Sequence, residues 1–600
     1  MGCASSRTRI GLALALGLGL VGALLGALAG RALEAQAQGS GCYHVAPSCT
    51  GIPDCYTTLQ AAVDAASDDA DSGRAATVIK VAAGVYTDLH PAVVDYRTIT
   101  QVVYVYKSVA IQGGYTLTDW TEPDPLANPT VLDARGLGRA LYVAGLPELD
   151  KCISPTIEGL SITGGDAAGL GGGPLGEDSG AGAYVAADSA VIGDCRVFGN
   201  DADYGGGLYL GDGVATLSDN TVASNTAEYG GGLFAAGVAA TLWHNDIISN
   251  VAGYGGGVFL SSQAAALNGN TIAANAAITG GGGLLLVRSE QAVLDGNVVV
   301  DNSAGVGGGL YVDRSDATLA NTVVADNRAD SVGSGLYVVA SSPQLLHSTI
   351  ARNIGGVGSG LYVTGSMRGA TYYPSVVALT NTILVSHTLG IAAGAGNTAT
   401  LEATLWGAGG WANGADWGGA GTVNTGTPGR NYWGLPDFAV PGAGDYHLGL
   451  ASDGLDRGVD AGVAQDMDGQ PRPQGSSYDL GADETGLVAI KRASSDRVAP
   501  GAPLHYAIHV TNTSVVTLTA TITDRLPDGV TPGGLLTWMP VTIAPGGAWT
   551  HTVALTVDAG YAGTLTNVVW VTTDEGPDGT YAETCVASYV LYLPLILRAL

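Results

Sequence analysis

One feature restricts the fold of this chain more than any other: a repeat of constant length. Gly205-Gly206-Gly207-Leu208-Tyr209-Leu210 returns as Gly230-Gly231-Gly232-Leu233-Phe234-Ala235 and as Gly255-Gly256-Gly257-Val258-Phe259-Leu260, and later copies carry Leu284, Leu310, Leu336 and Leu361. The steps from Leu208 are 25, 25, 26, 26, 26 and 25 residues. A second marker, Asn200, Asn225, Asn250, Asn275, Asn302, Asn327 and Asn353, advances by 25, 25, 25, 27, 25 and 26. Two independent markers at one period indicate a stacked array. The period is too short for two helices with turns at these glycines. Each unit instead carries three short apolar runs, around Leu208-Tyr209-Leu210, Leu217 and Val222. Gly and Asn mark the corners, where positive φ or side-chain-to-backbone bonds are needed. One unit is expected to be one rung of a three-faced coil. Rungs would pair in parallel about 4.8 Å apart, and a rung buries its apolar side only against its neighbours.

Alternation sets the facing. Leu208 and Leu210 should point inward and the residue between them outward. The outward column reads Tyr209, Phe234, Phe259, Leu285, Tyr311, Tyr337 and Tyr362, with Tyr184 and Tyr142 as earlier members. Its six aromatic residues from Tyr209 to Tyr362 are the candidate ligand-contact residues, because rings on a flat sheet suit sugar faces. The competing reading is an intramolecular ladder that stabilises the strands. The Asn columns are expected to form hydrogen-bonded ladders at the turns. Cys195 stands five residues before Asn200, as Asn220 stands before Asn225, and so reads as a buried thiol in an Asn column.

Charge is sparse in the repeats. The residue before each corner Asn reads Gly199, Ser224, Ser249, Ala274, Asp301, Asp326 and Arg352. Asp301, Asp326 and Arg352 should therefore stack on adjacent rungs and are the candidate catalytic group. Two neighbouring carboxyls would raise one pKa and Arg352 would offset this; the alternative is a solvated ion-pair ladder. Arg288 and Arg314 stack in another column, with Asp313 beside the latter. His244 and His347 lack a matched acid and are expected at the surface.

Composition narrows the class. The chain has 53 acidic and 24 basic residues, a net charge of −29, and is 46% hydrophobic. Such a chain is not disordered, and its acidity argues against nucleic acid as a partner. Arg7 and Arg9 precede an apolar run from Ile10 to Ala29, and Ala35-Gln36-Ala37 reads as a cleavage site. Residues 1–37 are thus expected to be a secretory signal peptide, and the mature chain to hold no transmembrane span. Cleavage would leave Cys42, Cys49, Cys55, Cys152, Cys195 and Cys585. An even count in an exported chain suits disulfides, with the pairing left open.

The Gly-Gly-Gly-Leu-Tyr units and units such as Asn270-Thr271-Ile272-Ala273-Ala274-Asn275 resemble the bacterial right-handed parallel β-helix repeat proteins, including the polymorphic outer-membrane-protein-like group and the pectate-lyase-like fold. The resemblance covers roughly residues 55 to 485. Leu59 to Ala66 reads as the helix that caps the coil, and Val78 to Tyr86 as its first strand and turn. This fold hosts lyases, hydrolases, adhesins and passive fibres, so fold alone names no function. Past Thr382 the repeat fades. Asp445-Tyr446-His447-Leu448, Asp466-Met467-Asp468-Gly469 and Tyr478 to Glu484 resemble a C-terminal capping segment of such surface proteins. Asp466 and Asp468 could open a calcium loop; the alternative is an Asx-rich turn with Arg472 paired to an acid.

From Leu487, strands about ten residues apart suggest a β-sandwich resembling the Ig-like stalk repeat of bacterial surface proteins. Some relatives cross-link a first-strand Lys to a late-strand Asn, and Lys491, Asn567 and Asp524 occupy plausible positions. The last residues, 588–600, read as either a final strand or a sorting and retention tail.

The expected organisation is all-β: signal peptide 1–37, N-terminal cap and first coils 38–135, regular β-helix repeats 136–390, irregular coils and C-terminal cap 391–485, Ig-like β-sandwich 486–587 and tail 588–600. The functional expectation is a secreted, cell-surface-associated, non-enzymatic protein, adhesin-like or carbohydrate-contacting. Its partner would be an extracellular polysaccharide or a surface protein. The alternative is a lyase or glycoside hydrolase acting on an acidic polysaccharide. Central rungs of 25 to 27 residues leave no room for the long loops that usually surround a cleft on this fold.

Overall fold

The computed structural model describes residues 42–586, except for 68–75, 95–96, 146–151, 174–175, 263, 450, 495–497, 513–516, 562–564 and 574–575. The signal-peptide and tail readings, at 1–37 and 588–600, lie outside the described residues. No described helix is long and apolar enough to cross a membrane.

The repeats form a parallel β-solenoid of about 11 turns. Leu208 pairs with Leu233, Leu233 with Val258, Val258 with Leu284, and the column continues through Leu310, Leu336 and Leu361 to Ile391. These residues are fully buried, as are Leu217, Leu242, Leu267, Leu294 and Leu319 one strand further on. The apolar runs fill a continuous interior that no single turn could enclose. The helix Leu59–Ala65 closes the N-terminal side. Thr58 caps it by accepting from the Ala61 N–H at 3.3 Å, and Leu59, Ala62 and Val63 are buried. Gln60 serves the edge strand: its Nε2 donates to the Tyr104 carbonyl at 3.2 Å and its Oε1 accepts the Tyr104 N–H at 2.7 Å.

Each central turn contains four strands, one more than the three apolar runs suggest. The fourth is Asp201–Tyr204, Thr226–Tyr229, Val251–Tyr254, Ala276–Gly280, Ser303–Val306 and Arg328–Val332, stacked as a separate six-stranded sheet. It escapes an apolar-run search because it buries little more than one small residue per turn, such as Ala227, Ala252 or Ala304.

The corners behave as the Asn markers imply. Asn275 Oδ1 accepts the Asn250 N–H at 2.9 Å and Asn250 Nδ2 at 3.0 Å, while its own Nδ2 donates to the Ile247 carbonyl at 2.8 Å and to Asn302 Oδ1 at 3.0 Å. The ladder continues from Asn200 to Asn353, where His387 Nε2 takes the next place at 3.3 Å. A second ladder runs through Asn220, Asn245, Asn270 and Asn297. Cys195 begins it: its N–H donates to Asn220 Oδ1 at 3.0 Å, and its thiol is free and buried. Of the other cysteines, Cys49 and Cys55 form a disulfide. The Gly-Gly-Gly tract is required by both conformation and contact. Gly255 has φ +64°, and a Cβ on Gly257 would lie 2.6 Å from the Gly283 carbonyl oxygen of the next turn.

Residues 438–484 do more than close the C-terminal end. They lie as a strap along the outer face of the third strand column. Phe438, Tyr446, Leu448, Leu480 and Ala482 pack on Val300, Val323, Ala325, Ala351, Val385 and Leu405. Asn321 Nδ2 donates to the Gln465 carbonyl at 2.9 Å, and the Val459 N–H donates to Asn381 Oδ1 at 2.8 Å. Beyond it, two four-stranded antiparallel sheets enclose a separate core that includes Leu504, Tyr506, Ile508, Val510, Ile522 and Val569.

Candidate functional sites

The aromatic column is continuous. Tyr104, Tyr142, Tyr184, Tyr209, Phe234 and Phe259 pair on successive strands, then Leu285, Tyr311, Tyr337 and Tyr362. It is more covered than an outward column should be. Tyr209 and Phe234 are buried, and Phe259, Tyr311, Tyr337 and Tyr362 are half-buried. The fourth strand supplies the cover: Tyr204 and Tyr229 meet Phe234 and Phe259 edge-on at 5.0 and 5.8 Å. From Tyr142 to Phe259, and from Tyr204 to Tyr254, the rings stack on one another, Tyr184 on Tyr209 at 5.0 Å and Tyr204 on Tyr229 at 4.8 Å, whereas Tyr311, Tyr337 and Tyr362 are tilted by 44° and 49°. Stacking turns ring faces toward other rings, which leaves mainly edges for solvent.

The structure does bring Asp301, Asp326 and Arg352 together. Each sits at a left-handed corner with φ of 55–56°, and each N–H donates to the carbonyl of the turn above, Asp326 to Ala351 at 3.1 Å. Asp326 is engaged on both oxygens: Arg352 Nε pairs with Oδ1 at 2.8 Å, and the buried Tyr446 hydroxyl, carried by the strap, donates to Oδ2. Burial raises the Tyr446 hydroxyl pKa, and the Asp326 carboxylate raises it further. Asp301 is exposed; partial desolvation of its carboxyl and the neighbouring Asp326 raise its pKa, and Arg352 opposes them. Arg314 pairs with its own neighbour Asp313 at 2.8 Å.

The two histidines part company. His244 is exposed and has an acid beside it, Asp219 at 3.9 Å. His347 is fully buried, not at the surface, because the strap covers its corner; burial depresses its pKa to about 3, and its Nε2 lies 2.8 Å from Asn381 Nδ2.

Two features were missed in the sequence, and a third matches an alternative that the sequence offered. The first is an acidic corner column. Asp194, Asp219 and His244 all occupy left-handed corners before the second Asn ladder, and Glu158 stands one turn earlier, paired with Gln112 at 3.2 Å. Glu158, Asp194 and Asp219 line a groove of about 400 Å³ walled by Pro123, Asp124, Pro125 and Leu126. Burial raises the pKa of both Glu158 and Asp194. The loop that forms this wall lies between strands Val109–Tyr115 and Thr130–Asp133, before the regular rungs.

The second feature is an aromatic platform on the last turns. Trp433 is 57% exposed and Trp417 is 39% exposed. Trp433 Nε1 donates to Asp416 Oδ2 at 2.9 Å, and Asn413 Nδ2 holds the other oxygen of Asp416 at 3.0 Å. The indole is thus fixed in place with its ring in solvent. The rise in Trp content after residue 400 was its sequence signal.

The third lies in the strap. Asp466 is a turn-former: Oδ1 accepts the N–H groups of Asp468 at 3.0 Å and Gln470 at 2.8 Å, and Oδ2 accepts that of Glu484 at 3.1 Å. This is the Asx-rich turn, and the Arg472–Glu484 pair at 2.6 Å, fully buried, is the matching ion pair. Asp468 turns away to His447, whose Nε2 lies 2.8 Å from Asp468 Oδ2.

In the C-terminal sheets, Lys491, Asp524 and Asn567 converge. Lys491 Nζ donates to Asp524 Oδ1 at 2.5 Å, with both side chains fully buried. Burial lowers the Lys491 pKa to about 8, opposed by Asp524, and raises that of Asp524. Asn567 is buried beside them, and neither end of its carboxamide makes a hydrogen bond of ordinary geometry.

Against known proteins, the family described as "Right handed beta helix region" matches residues 154–324 and 211–377. Residues 154–377 of the chain thus match a right-handed β-helix model. The matched residues are the regular turns that carry the Asn ladders and the aromatic column. No curated protein matches. Solved structures with short similarities include red sea bream transglutaminase, at 16% identity over 19% of this chain and 16% of that one with a TM-score of 0.16. Another is Spo0M, a sporulation control protein from Bacillus subtilis, at 12% over 17% and 49% with 0.12. A third is a β-glucosidase from Listeria innocua in complex with glucose, at 15% over 36% and 37% with 0.12. The chain spans less than half of each, and likenesses this slight carry no argument about fold or activity.

Proposed function

We propose that this β-helix protein is a non-enzymatic extracellular shaft that contacts carbohydrate through its last turns. The observation that carries the reading is the Trp433 platform. A rigidly held, exposed indole bonded to the Asp416 carboxylate presents what a sugar ring needs: a π-face for its C–H groups and an adjacent acceptor for its hydroxyls. The longer aromatic column supports the shaft instead, since its rings are used up in contacts with each other. Asp326 likewise serves Arg352 and Tyr446, which favours a structural ion pair over a catalytic acid.

In this reading the two C-terminal sheets form an Ig-like stalk locked by an internal amide. Neutral Lys491 Nζ attacks the Asn567 carboxamide carbon. The new C–N bond forms, the bond to the carboxamide nitrogen breaks, and that nitrogen leaves as ammonia. Asp524 passes the proton from Nζ to the leaving nitrogen. A buried lysine with a lowered pKa supplies the uncharged nucleophile, and a buried acid with a raised pKa supplies the proton carrier. Intact mass of the purified chain tests it: loss of one ammonia is expected in the natural chain and no loss in Lys491→Met or Asp524→Ala.

A second reading rests on the acidic groove. Adjacent carboxyls with raised pKa values, beside a loop wall, are the elements of general acid–base hydrolysis of a glycosidic bond. One experiment separates the two. The chain is offered pectin, alginate, chondroitin and neutral glucans, and both binding and new reducing or unsaturated ends are measured. Binding without turnover, abolished by Trp433→Ala and retained in Tyr311→Phe, supports the shaft. Turnover lost in Glu158→Gln establishes the enzyme.

A further inference from the structure

We propose that His447, Asp468 and Asp483 form a binding site for a divalent transition-metal ion that clamps the strap onto itself. One ligand atom from each residue lies within 4.8 Å of the others. The three come from separate segments: His447 from the strand Asp445–Leu448, Asp468 from the turn shaped by Asp466, and Asp483 from the last stretch before the C-terminal sheets. One ion would tie all three together.

The surroundings are built as a metal site's are. His447 Nδ1 lies 2.6 Å from Asp445 Oδ1, and this carboxylate fixes the imidazole so that Nε2 points at Asp468. A carboxylate behind a ligating histidine sets the tautomer and raises the basicity of the metal-facing nitrogen. Asp468 is held by the turn, its own N–H bound to Asp466. Asp483 is the independent sign of a missing ligand. It is 1% exposed; Oδ2 accepts the Leu448 N–H at 2.6 Å, but Oδ1 is buried with no hydrogen-bond partner. An orphaned carboxylate oxygen in a dry site is costly unless a cation meets it. The local charge points the same way. Asp445, Asp466, Asp468, Asp479, Asp483 and Glu484 gather here against Arg472 and His447, and Arg472 is already paired with Glu484.

The donor set selects the class of ion. An imidazole nitrogen with two carboxylates suits zinc or manganese, whereas calcium takes six to eight oxygens and magnesium keeps mostly water. His447 and Asp468 keep 16% and 25% of their side chains exposed, which leaves an opening for entry and for water ligands. The site shares only Asp468 with the calcium loop that the sequence suggested; the Asp466 oxygens accept the N–H groups of Asp468, Gln470 and Glu484.

The test uses the full chain, stripped with a chelator and titrated with zinc chloride, manganese chloride or calcium chloride in a calorimeter. One zinc or manganese ion per chain is expected, with a rise in melting temperature. Asp468→Asn, at a partly exposed position that leaves the fold intact, should weaken binding at least about tenfold. Asp445→Asn should weaken it by about 10- to 100-fold through the imidazole alone. X-ray absorption should show a nitrogen and oxygen shell with an imidazole signature. Binding that is absent from the folded natural chain, unchanged in Asp468→Asn, stronger for calcium than for zinc and manganese, or sulfur-ligated would overturn the proposal.

Discussion

Replacing Asn275 by alanine removes one rung of a buried hydrogen-bonded ladder, and its cost can be worked out bond by bond. Four bonds disappear, but not all partners lose everything. Asn250 Nδ2 still donates to the Val222 carbonyl at 2.9 Å, and Asn302 Oδ1 still accepts the backbone N–H of residue 275 at 2.9 Å. Two groups lose the partner they depended on: the Asn250 N–H and the Ile247 carbonyl lone pair that faced Asn275 Nδ2. An unsatisfied buried group costs about 1–3 kcal/mol, so the loss should be about 2–6 kcal/mol. A solenoid spreads such a loss over neighbouring turns rather than the whole chain, so amide hydrogen exchange is the right assay. Exchange at Asn250 and at the flanking corners 225 and 302 should accelerate at least about thirtyfold, since every 1.4 kcal/mol is a factor of ten. Distant turns should change little. If exchange at Asn250 changed less than about threefold, the ladder would not be what holds the corner together, and the reasoning would fail.

His387 occupies a ladder position between Asn353 and Asn413, and burial depresses its pKa to about 3. The unfolded chain binds a proton below about pH 6.5 and the folded site does not. Stability therefore falls as pH drops from 6.5 toward 3, by about 2 kcal/mol at pH 5 for this group. His387→Asn should remove that part of the acid sensitivity, as read by urea unfolding at pH 7 and pH 5. Burial pushes the Cys195 thiol up to about 12; it should resist a thiol reagent until the chain unfolds, and Cys195→Asn should be tolerated because it extends the second ladder. Gly257→Ala places a Cβ 2.6 Å from a backbone oxygen that cannot move aside, so a loss of about 1–3 kcal/mol is expected by thermal or urea unfolding, while Gly410→Ala, where a Cβ meets nothing, should be near neutral.

The solenoid was legible because its constraints are local and repeated. Leu208 and its equivalents, the Asn markers and the glycine tracts each recur at one period, so each turn repeats the evidence of the last. Cys195 could be placed in an Asn column by counting alone. The fourth strand was not legible, because Thr226-Ala227-Glu228-Tyr229 offers one small buried residue among polar ones. The stacking of Asp301, Asp326 and Arg352 followed from register; the loss of Asp326 to Tyr446 did not, because the two lie 120 residues apart. An uninterrupted Val298-Val299-Val300 hinted that both faces of that strand are covered, but it did not say by what.

What the sequence determined by itself is the coil: its period, its inward columns, its corners and the alignment of like residues on successive turns. These follow from nearest-neighbour stacking, where position along the chain translates directly into position along the axis. What only the tertiary structure decided is where the surface is. The strap from 438 to 484 returns along the coil, buries His347 and Tyr446, and gathers His447, Asp468 and Asp483 from segments with no common period. The fourth strand in the same way converts an exposed aromatic row into a packed one. Exposure depends on which non-repeating segment lies over a face, and no periodicity encodes that.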